Sequence, residues 1–319
     1  MSVAAVIGRR AVRVANSLID IFVLTVILLL LVFGCYAIWD SGQVHSAASS
    51  GRYEKFKPTI ENEALSFKDL QAINPDIFAW LTVYGTNIDY PVAQGEDNIR
   101  YVNTSAEGRH SLSGAIFLDY RCDPSFSDFS SLFYGHHMDN ATMFGEIERF
   151  YDKSYFNARR YGMLYHDGQE RGLEFFAFVH ADAYDNSIFR VRVGEDEQQA
   201  YLDTLIQAAL HIRDDVSVTT DDRIVLLSTC SQTSTNGRDI LIGKITETVH
   251  DNPFEVESGN NRLPIPTIDE IPGLQGLVSQ LVKFIAIVLP CFLMLLVSAV
   301  TYKKLRKRQK GTTNSKGDE

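Results

Sequence analysis

Cysteine is scarce in this chain, with four in 319 residues. No CxxC or closely spaced His–Cys pattern marks a metal site. Cys35 and Cys291 fall inside apolar runs, leaving only Cys122 and Cys230 in the polar part of the chain. Outside the cytoplasm such a pair ordinarily forms a disulfide, so a Cys122–Cys230 bridge stands beside a free, reactive Cys230 as the two readings of these thiols. Basic residues are also in short supply, 30 Lys and Arg against 40 Asp and Glu for a net charge of −10. Many of them are crowded at the two ends, so the segment between is more acidic than the whole, which argues against nucleic acid as a partner. No internal repeat is present, and no cofactor or metal is implied.

Long apolar runs are present, and there are two. Ile21 to Ile38 and Phe284 to Tyr302 carry no charge and have the length of membrane-spanning helices. Arg9, Arg10 and Arg13 precede the first, and Lys303, Lys304, Arg306, Lys307, Arg308 and Lys310 follow the second. The positive-inside rule then places both termini in the cytoplasm and the middle of the chain outside it. A cleaved secretory leader is the competing reading of the first run, with Ser46-Ala47-Ala48 as a small-residue exit. The boundaries that follow are a cytoplasmic start over 1–17, a transmembrane helix over 18–39, a stalk and helical preface over 40–64, and a folded domain over 65–250. A proline-rich linker over 251–276, a second transmembrane helix over 277–302 and a basic cytoplasmic tail over 303–319 complete the chain.

Within the folded part, Tyr53 to Ile73 has helical spacing closed by Asn74-Pro75-Asp76. Eight short β-branched and aromatic runs follow, at 80–83, 88–92, 114–118, 132–134, 162–165, 175–179, 224–227 and 240–245, divided by Gly, Pro, Asn and Asp clusters. That pattern predicts a mainly β fold, a barrel or sandwich. Met143 to Phe150 and Glu195 to Ile212 have apolar residues at helical spacing and are predicted as inserted helices.

Chemistry is suggested where Cys230 ends the run Arg223 to Thr229, Arg238 opens the next run, and Tyr134-Gly135-His136-His137 lies upstream. A thiol is a strong nucleophile only as its thiolate, which wants an imidazole or a cation nearby, and an arginine can donate to the oxyanion of a tetrahedral intermediate. Each residue alone has a plainer explanation: a buried small hydrophobe, a solvent-facing imidazole, a charged strand edge.

Taken together the motifs resemble the sortases, the cysteine transpeptidases of Gram-positive surfaces, and among them class B. The resemblance runs through Leu70 to Asp76, Trp80-Leu81, Gly85 to Val92 with Gln94, Asp97-Asn98 with Tyr101, and Ser113-Gly114 with Ile116-Phe117 and Asp119. It continues through Tyr134 to Met138, Met143-Phe144 and Leu227 to Cys230, and covers about residues 65 to 248. It implies an eight-stranded sortase β-barrel with an N-terminal helical segment and inserted helices, here flanked by two transmembrane helices. Cys230 would be the nucleophile, His136 the catalytic histidine because it directly follows Gly135, and Arg238 the oxyanion and substrate-positioning arginine. Ser228 and Thr229 would line the strand end, and Asn98 and Val102 would border the groove for the sorting signal.

The expected activity is cleavage of a C-terminal sorting motif on a secreted protein through a thioacyl enzyme, with transfer to an amine, either a pilin lysine or a peptidoglycan cross-bridge. The outcome would be pilus assembly or wall anchoring, at the cell membrane, with the catalytic domain outside. A surface cysteine protease and a catalytically silent scaffold are the alternatives. Two features depart from class B, the second apolar span with its basic tail and Cys122; such a span is more usual in the pilin-polymerising class C, but the Asp-Pro-aromatic lid motif of that class does not occur between Ser41 and Ile73. Cys122 stands where a polar residue is expected.

Overall fold

The structure, a computed structural model, describes residues 3–58, 65–138, 140–230 and 236–254. The predicted second span, most of the linker before it and the basic tail lie outside the described residues. The chain up to Glu257 forms one compact unit.

Helix α1 (Val3–Ala48) is a single run of 46 residues. From Val14 onward it has a mean hydropathy of 2.9 in its most apolar window and buries none of that window against the rest of the chain. Among the described residues it alone has the length and composition of a membrane anchor. The polar stretch from Ser41, expected as a stalk, belongs to this helix as far as Ala48, because no proline interrupts it and its end is docked: the Tyr90 hydroxyl donates to the Ala48 carbonyl at 2.9 Å. Two short 3-10 turns (Ser50–Arg52, Glu54–Phe56) and α2 (Leu65–Ile73) lead into the barrel.

The strands are β1 (Ile77–Val83), β2 (Asp89–Ala93), β3 (Ile116–Leu118), β4 (Ser130–Tyr134), β5 (Tyr161–His166), β6 (Gln169–Asp182), β7 (Ala209–Ile212), β8 (Ile224–Cys230) and β9 (Gly237–Thr246). In the order β5-β1-β2-β3-β4-β8-β9-β6 the sheet closes on itself through pairing of β5 with β6. Those eight strands are the eight runs read from the sequence; β5 pairs only with Gln169–Glu174 of β6, so the second half of β6 keeps an open side. Its core is aromatic and aliphatic, with Trp80, Phe133, Phe175, Phe176 and Phe178 buried. Each such side chain contributes about 1.5–3 kcal/mol over its exposed state. Strand β8 is buried along its whole length except for Cys230 at its end.

Two of the predicted helices need correction, and one helix is additional. The helix predicted over 195–212 is α4 (Gln198–Ala208), and Ala209–Ile212 instead form β7, a ninth strand added to β6 with Ala177 opposite Ile212. Pairing with the open side of β6 outweighs the weak helical preference of that segment. The helix predicted over 143–150 is a 3-10 helix from Gly145 to Tyr151; Met143 has a φ of 53°, which no α-helix accommodates, and its N–H donates to the Tyr90 hydroxyl. Helix α3 (Lys153–Ala158) was not expected; Asp152 caps it by accepting from the N–H groups of Ser154 and Tyr155.

Candidate active site

Strand register assembles the site. Strands β4 and β8 are parallel neighbours with Tyr134 opposite Ser228, and the Gly135 N–H donates to the Ser228 carbonyl at 3.2 Å. Continuing both chains by two residues brings His136 alongside Cys230. Strand β9 runs antiparallel to β8 with Arg238 opposite Cys230. Side chains two apart share a face, so Tyr134 and His136, Ser228 and Cys230, and Arg238 all meet at one end of the barrel. Gly135 is required where the chain turns out of β4, since a Cβ there would lie 2.5 Å from Ile116 and 2.7 Å from Phe144.

These residues line a cavity of about 310 Å³ together with Asn98, Val102, Ala115, Phe117 and Thr229. All seven residues singled out from the sequence therefore border one groove. Cys230 is exposed, His136 and Arg238 are half-buried, and Ser228 and Thr229 are buried beneath them. The Arg238 Nη1 donates to the Gly237 carbonyl at 2.9 Å, which braces the guanidinium at the start of β9.

The wall opposite is the segment 97–102. Asp97 accepts from the N–H groups of Ile99 and Arg100, both at 2.9 Å, and so starts the 3-10 turn Arg100–Val102. Tyr101 is fully buried with its hydroxyl on Asp76 at 2.7 Å, leaving Val102 on the groove. The Val102 carbonyl meets His136 Nε2 at 2.8 Å. A carbonyl only accepts, so Nε2 carries the hydrogen and Nδ1 is the acceptor of the neutral ring. Gly114 makes room for this contact: its φ is +60°, and a Cβ would stand 2.6 Å from the Val102 oxygen.

The neighbouring His137 is engaged elsewhere, with Nε2 3.0 Å from the Glu148 carboxylate. Cys122 and Cys230 are both free, so the bridge between them is not formed. Cys122 is 3% exposed, and burial pushes its thiol up to about 11, which keeps it protonated at neutral pH.

Residues without an assigned role in the sequence motifs complete the groove's support. Asp119, at 0% exposure, accepts from Arg121 through both Nε at 2.9 Å and Nη2 at 2.8 Å, and from Asn98 Nδ2 at 2.8 Å and the Tyr134 hydroxyl at 3.2 Å. Burial pushes its carboxyl upward, but the hydrogen bonds from Arg121 and Asn98 and the arginine's charge outweigh that and hold it below the usual carboxylate range. Tyr134 and Phe117 pack ring to ring at 5.3 Å. Asn98, Asp119 and Tyr134 each lie in a stretch that carries the resemblance, but nothing in those stretches shows that they meet at one carboxylate, and Arg121 lies outside them.

No family model matches the chain. Sortase B of Listeria monocytogenes serovar 1/2a is 32% identical to it over 182 residues, covering 56% of this chain and 73% of the Listeria protein. The crystal structure of sortase B from the type II pilus of Streptococcus pneumoniae is 48% identical with a TM-score of 0.51, covering 57% of this chain and 99% of that one. A Streptococcus pyogenes class B sortase involved in pilus biogenesis is 42% identical with a TM-score of 0.53, again over 57% of this chain and 99% of the other. With the barrel closed in eight strands and this likeness extending over nearly the whole of both streptococcal structures, the chain belongs to the sortase family, class B.

Proposed function

We propose that this sortase is a membrane-anchored transpeptidase in which Cys230 is the nucleophile, His136 the general acid and base, and Arg238 the oxyanion donor. The observation that carries the reading is the convergence of these three residues, from the ends of three adjacent strands, on one open groove. The Cys230 thiolate adds to a main-chain carbonyl carbon of a sorting motif, and the oxyanion takes hydrogen bonds from the Arg238 guanidinium. As the C–N bond breaks, the departing amine takes a proton from the imidazolium. With Nε2 held by the Val102 carbonyl, that proton leaves from Nδ1. An incoming amine then gives a proton to His136, attacks the thioester carbon and releases the thiolate, so a new amide replaces the old one.

The substrates are secreted proteins with a C-terminal sorting motif, held along Asn98, Val102, Ser228 and Thr229. The acceptor is a pilin lysine rather than a peptidoglycan amine; the likeness to sortases of streptococcal pili supports that choice. Helix α1 anchors the enzyme and the apolar stretch 284–302 returns the chain to the cytoplasm, leaving the barrel on the outer side of the cell membrane.

The test is mass spectrometry of the full chain in detergent, incubated with a library of sorting-signal peptides with and without a lysine-bearing acceptor. A thioacyl adduct on Cys230 that converts to an amide product is expected, and Cys230→Ala should form neither. Full transpeptidation by Cys230→Ala would overturn the assignment, and adducts that resolve only to free acid with acceptor present would make the enzyme a protease.

A further inference from the structure

Asp119 is a fully buried carboxylate beside the groove that does not itself line it. Its contacts are all with donors: the Arg121 N–H at 3.0 Å and Nε at 2.9 Å on Oδ1, and Arg121 Nη2 at 2.8 Å, Asn98 Nδ2 at 2.8 Å and the Tyr134 hydroxyl at 3.2 Å on Oδ2. A carboxyl surrounded only by donors is ionised and can accept but not give a hydrogen bond. Whichever end of the Asn98 amide faces it must therefore be the NH2 end.

The opposite end of that amide is also fixed. The Tyr120 N–H donates to Asn98 Oδ1 at 3.0 Å. Turning the amide over would set an oxygen against a buried carboxylate and an NH2 against an N–H, losing two hydrogen bonds and creating two repulsions. Two contacts of opposite polarity, one of them charged, thus leave Asn98 a single orientation. It then offers the groove one remaining N–H and one remaining oxygen lone pair, in a fixed sense. The bidentate Arg121 pair holds the carboxylate, and Tyr134, whose ring lines the same groove, is tied to the same oxygen as Asn98.

We propose that Asp119 is a positioning residue for the transpeptidation: clamped by Arg121, it fixes the polarity of the Asn98 amide and the tilt of Tyr134, and so sets which hydrogen-bonding groups an acyl-donor peptide meets at that wall. The proposal rests on the transpeptidase reading above. It assigns Asp119 a role in binding the donor rather than in bond making, because its carboxylate is buried behind Asn98 and Tyr134 and does not face the groove.

The experiment is a double-mutant cycle on the full chain in detergent, using the library peptide that gives the strongest Cys230 adduct. Asp119→Asn should raise KM for that donor about tenfold with kcat nearly unchanged, and should add less than about twofold in an Asn98→Ala background. An equal effect of Asp119→Asn in both backgrounds would overturn the proposal, since a merely structural role does not depend on Asn98. Arg121→Lys, which removes the bidentate clamp and leaves the carboxylate in place, should show the same coupling at smaller size and serves if Asp119→Asn does not fold. A readout that needs no turnover is the pair of Asn98 side-chain amide proton resonances, identified by their loss in Asn98→Ala. They should be held apart and slow to exchange in the wild-type chain, and should move and exchange faster in Arg121→Lys. If no peptide acylates Cys230 the transpeptidase reading fails, and these resonances still decide whether Asp119 orients Asn98; unchanged resonances would overturn that.

Discussion

Replacing Gly114 with alanine isolates what the Val102 carbonyl does for His136. At φ +60° an alanine sits in the left-handed region at a cost of about 1–2 kcal/mol. Its Cβ would also stand 2.5 Å from the Tyr101 oxygen and 2.6 Å from the Val102 oxygen. Both are backbone atoms of a turn pinned by Asp97 and Tyr101, so neither yields as a side chain would. To regain an ordinary contact the Val102 carbonyl must retreat by about 1 Å. The 2.8 Å contact to His136 Nε2 then lengthens beyond hydrogen-bonding range, removing about 1 kcal/mol and the group that sets the ring's tautomer. A misplacement of about 1 Å in a catalytic group lowers rates by around a hundredfold. Gly114→Ala should therefore reduce kcat for thioacyl formation by about that factor, read as the rate of Cys230 adduct growth by mass spectrometry. Gly168→Ala is the control: its φ of +75° imposes the same strain, but nothing lies within 4 Å of the added carbon and it is in the β5–β6 turn. It should lose stability with unchanged adduct kinetics. If Gly114→Ala forms adduct as fast as Gly168→Ala, the Val102 carbonyl does not position the imidazole.

Two further outcomes follow from the environments already described. Iodoacetamide at neutral pH should modify Cys230 in the native chain and leave Cys122 unmodified until denaturant is added, because the one is exposed and the other is buried with its thiol pushed up to about 11; peptide mapping that finds Cys122 alkylated in the native state would contradict its burial. The Asp119 carboxyl is held below its unfolded value, so its contribution to stability is fully present above about pH 4 and is lost as pH falls through the lower folded value. Thermal melts should accordingly show wild type ahead of Asp119→Asn at neutral pH and the gap narrowing in acid, whereas a gap independent of pH would mean that the carboxylate's charge contributes nothing.

The barrel was legible because its strands are covered on both faces and so appear as short, dense apolar runs with turn residues between them. The run ending at Cys230 is the plainest, with six buried residues before the exposed thiol. What was not legible was decided by partners distant in sequence. Ala209–Ile212 has the composition to extend a helix, and only the open side of β6 makes it a strand. Met143 carries a helical pattern, but its N–H is taken by the Tyr90 hydroxyl and its backbone is left-handed. The continuation of α1 to Ala48 depends on the same Tyr90, through a hydrogen bond spanning 42 residues of sequence.

The site divides in the same way, along the line between groups that meet the substrate and groups that hold them. Cys230, His136 and Arg238 stand at or just beyond strand ends, where local sequence carries a recognisable sequence of turn, apolar run and reactive side chain. Their supports do not share that property. Asp119, Arg121 and Tyr134 come from two different stretches that β3 beside β4 brings together, and Asn98 reaches the same buried carboxylate from the groove wall. Gly114 matters only because of a φ angle and a close approach to the Val102 carbonyl from an earlier segment. A strand end is a natural place for the reactive groups, since the barrel behind it is rigid while the end itself is open. Rigidity of the strands fixes the backbones of Cys230 and Arg238, which are paired to each other, and the Gly237 carbonyl braces the guanidinium. His136 lies beyond the last paired residue of β4, so its ring depends on a contact outside the barrel, and the Val102 carbonyl supplies it. For that reason the imidazole is the member of the three whose function a backbone change in another segment should disturb most.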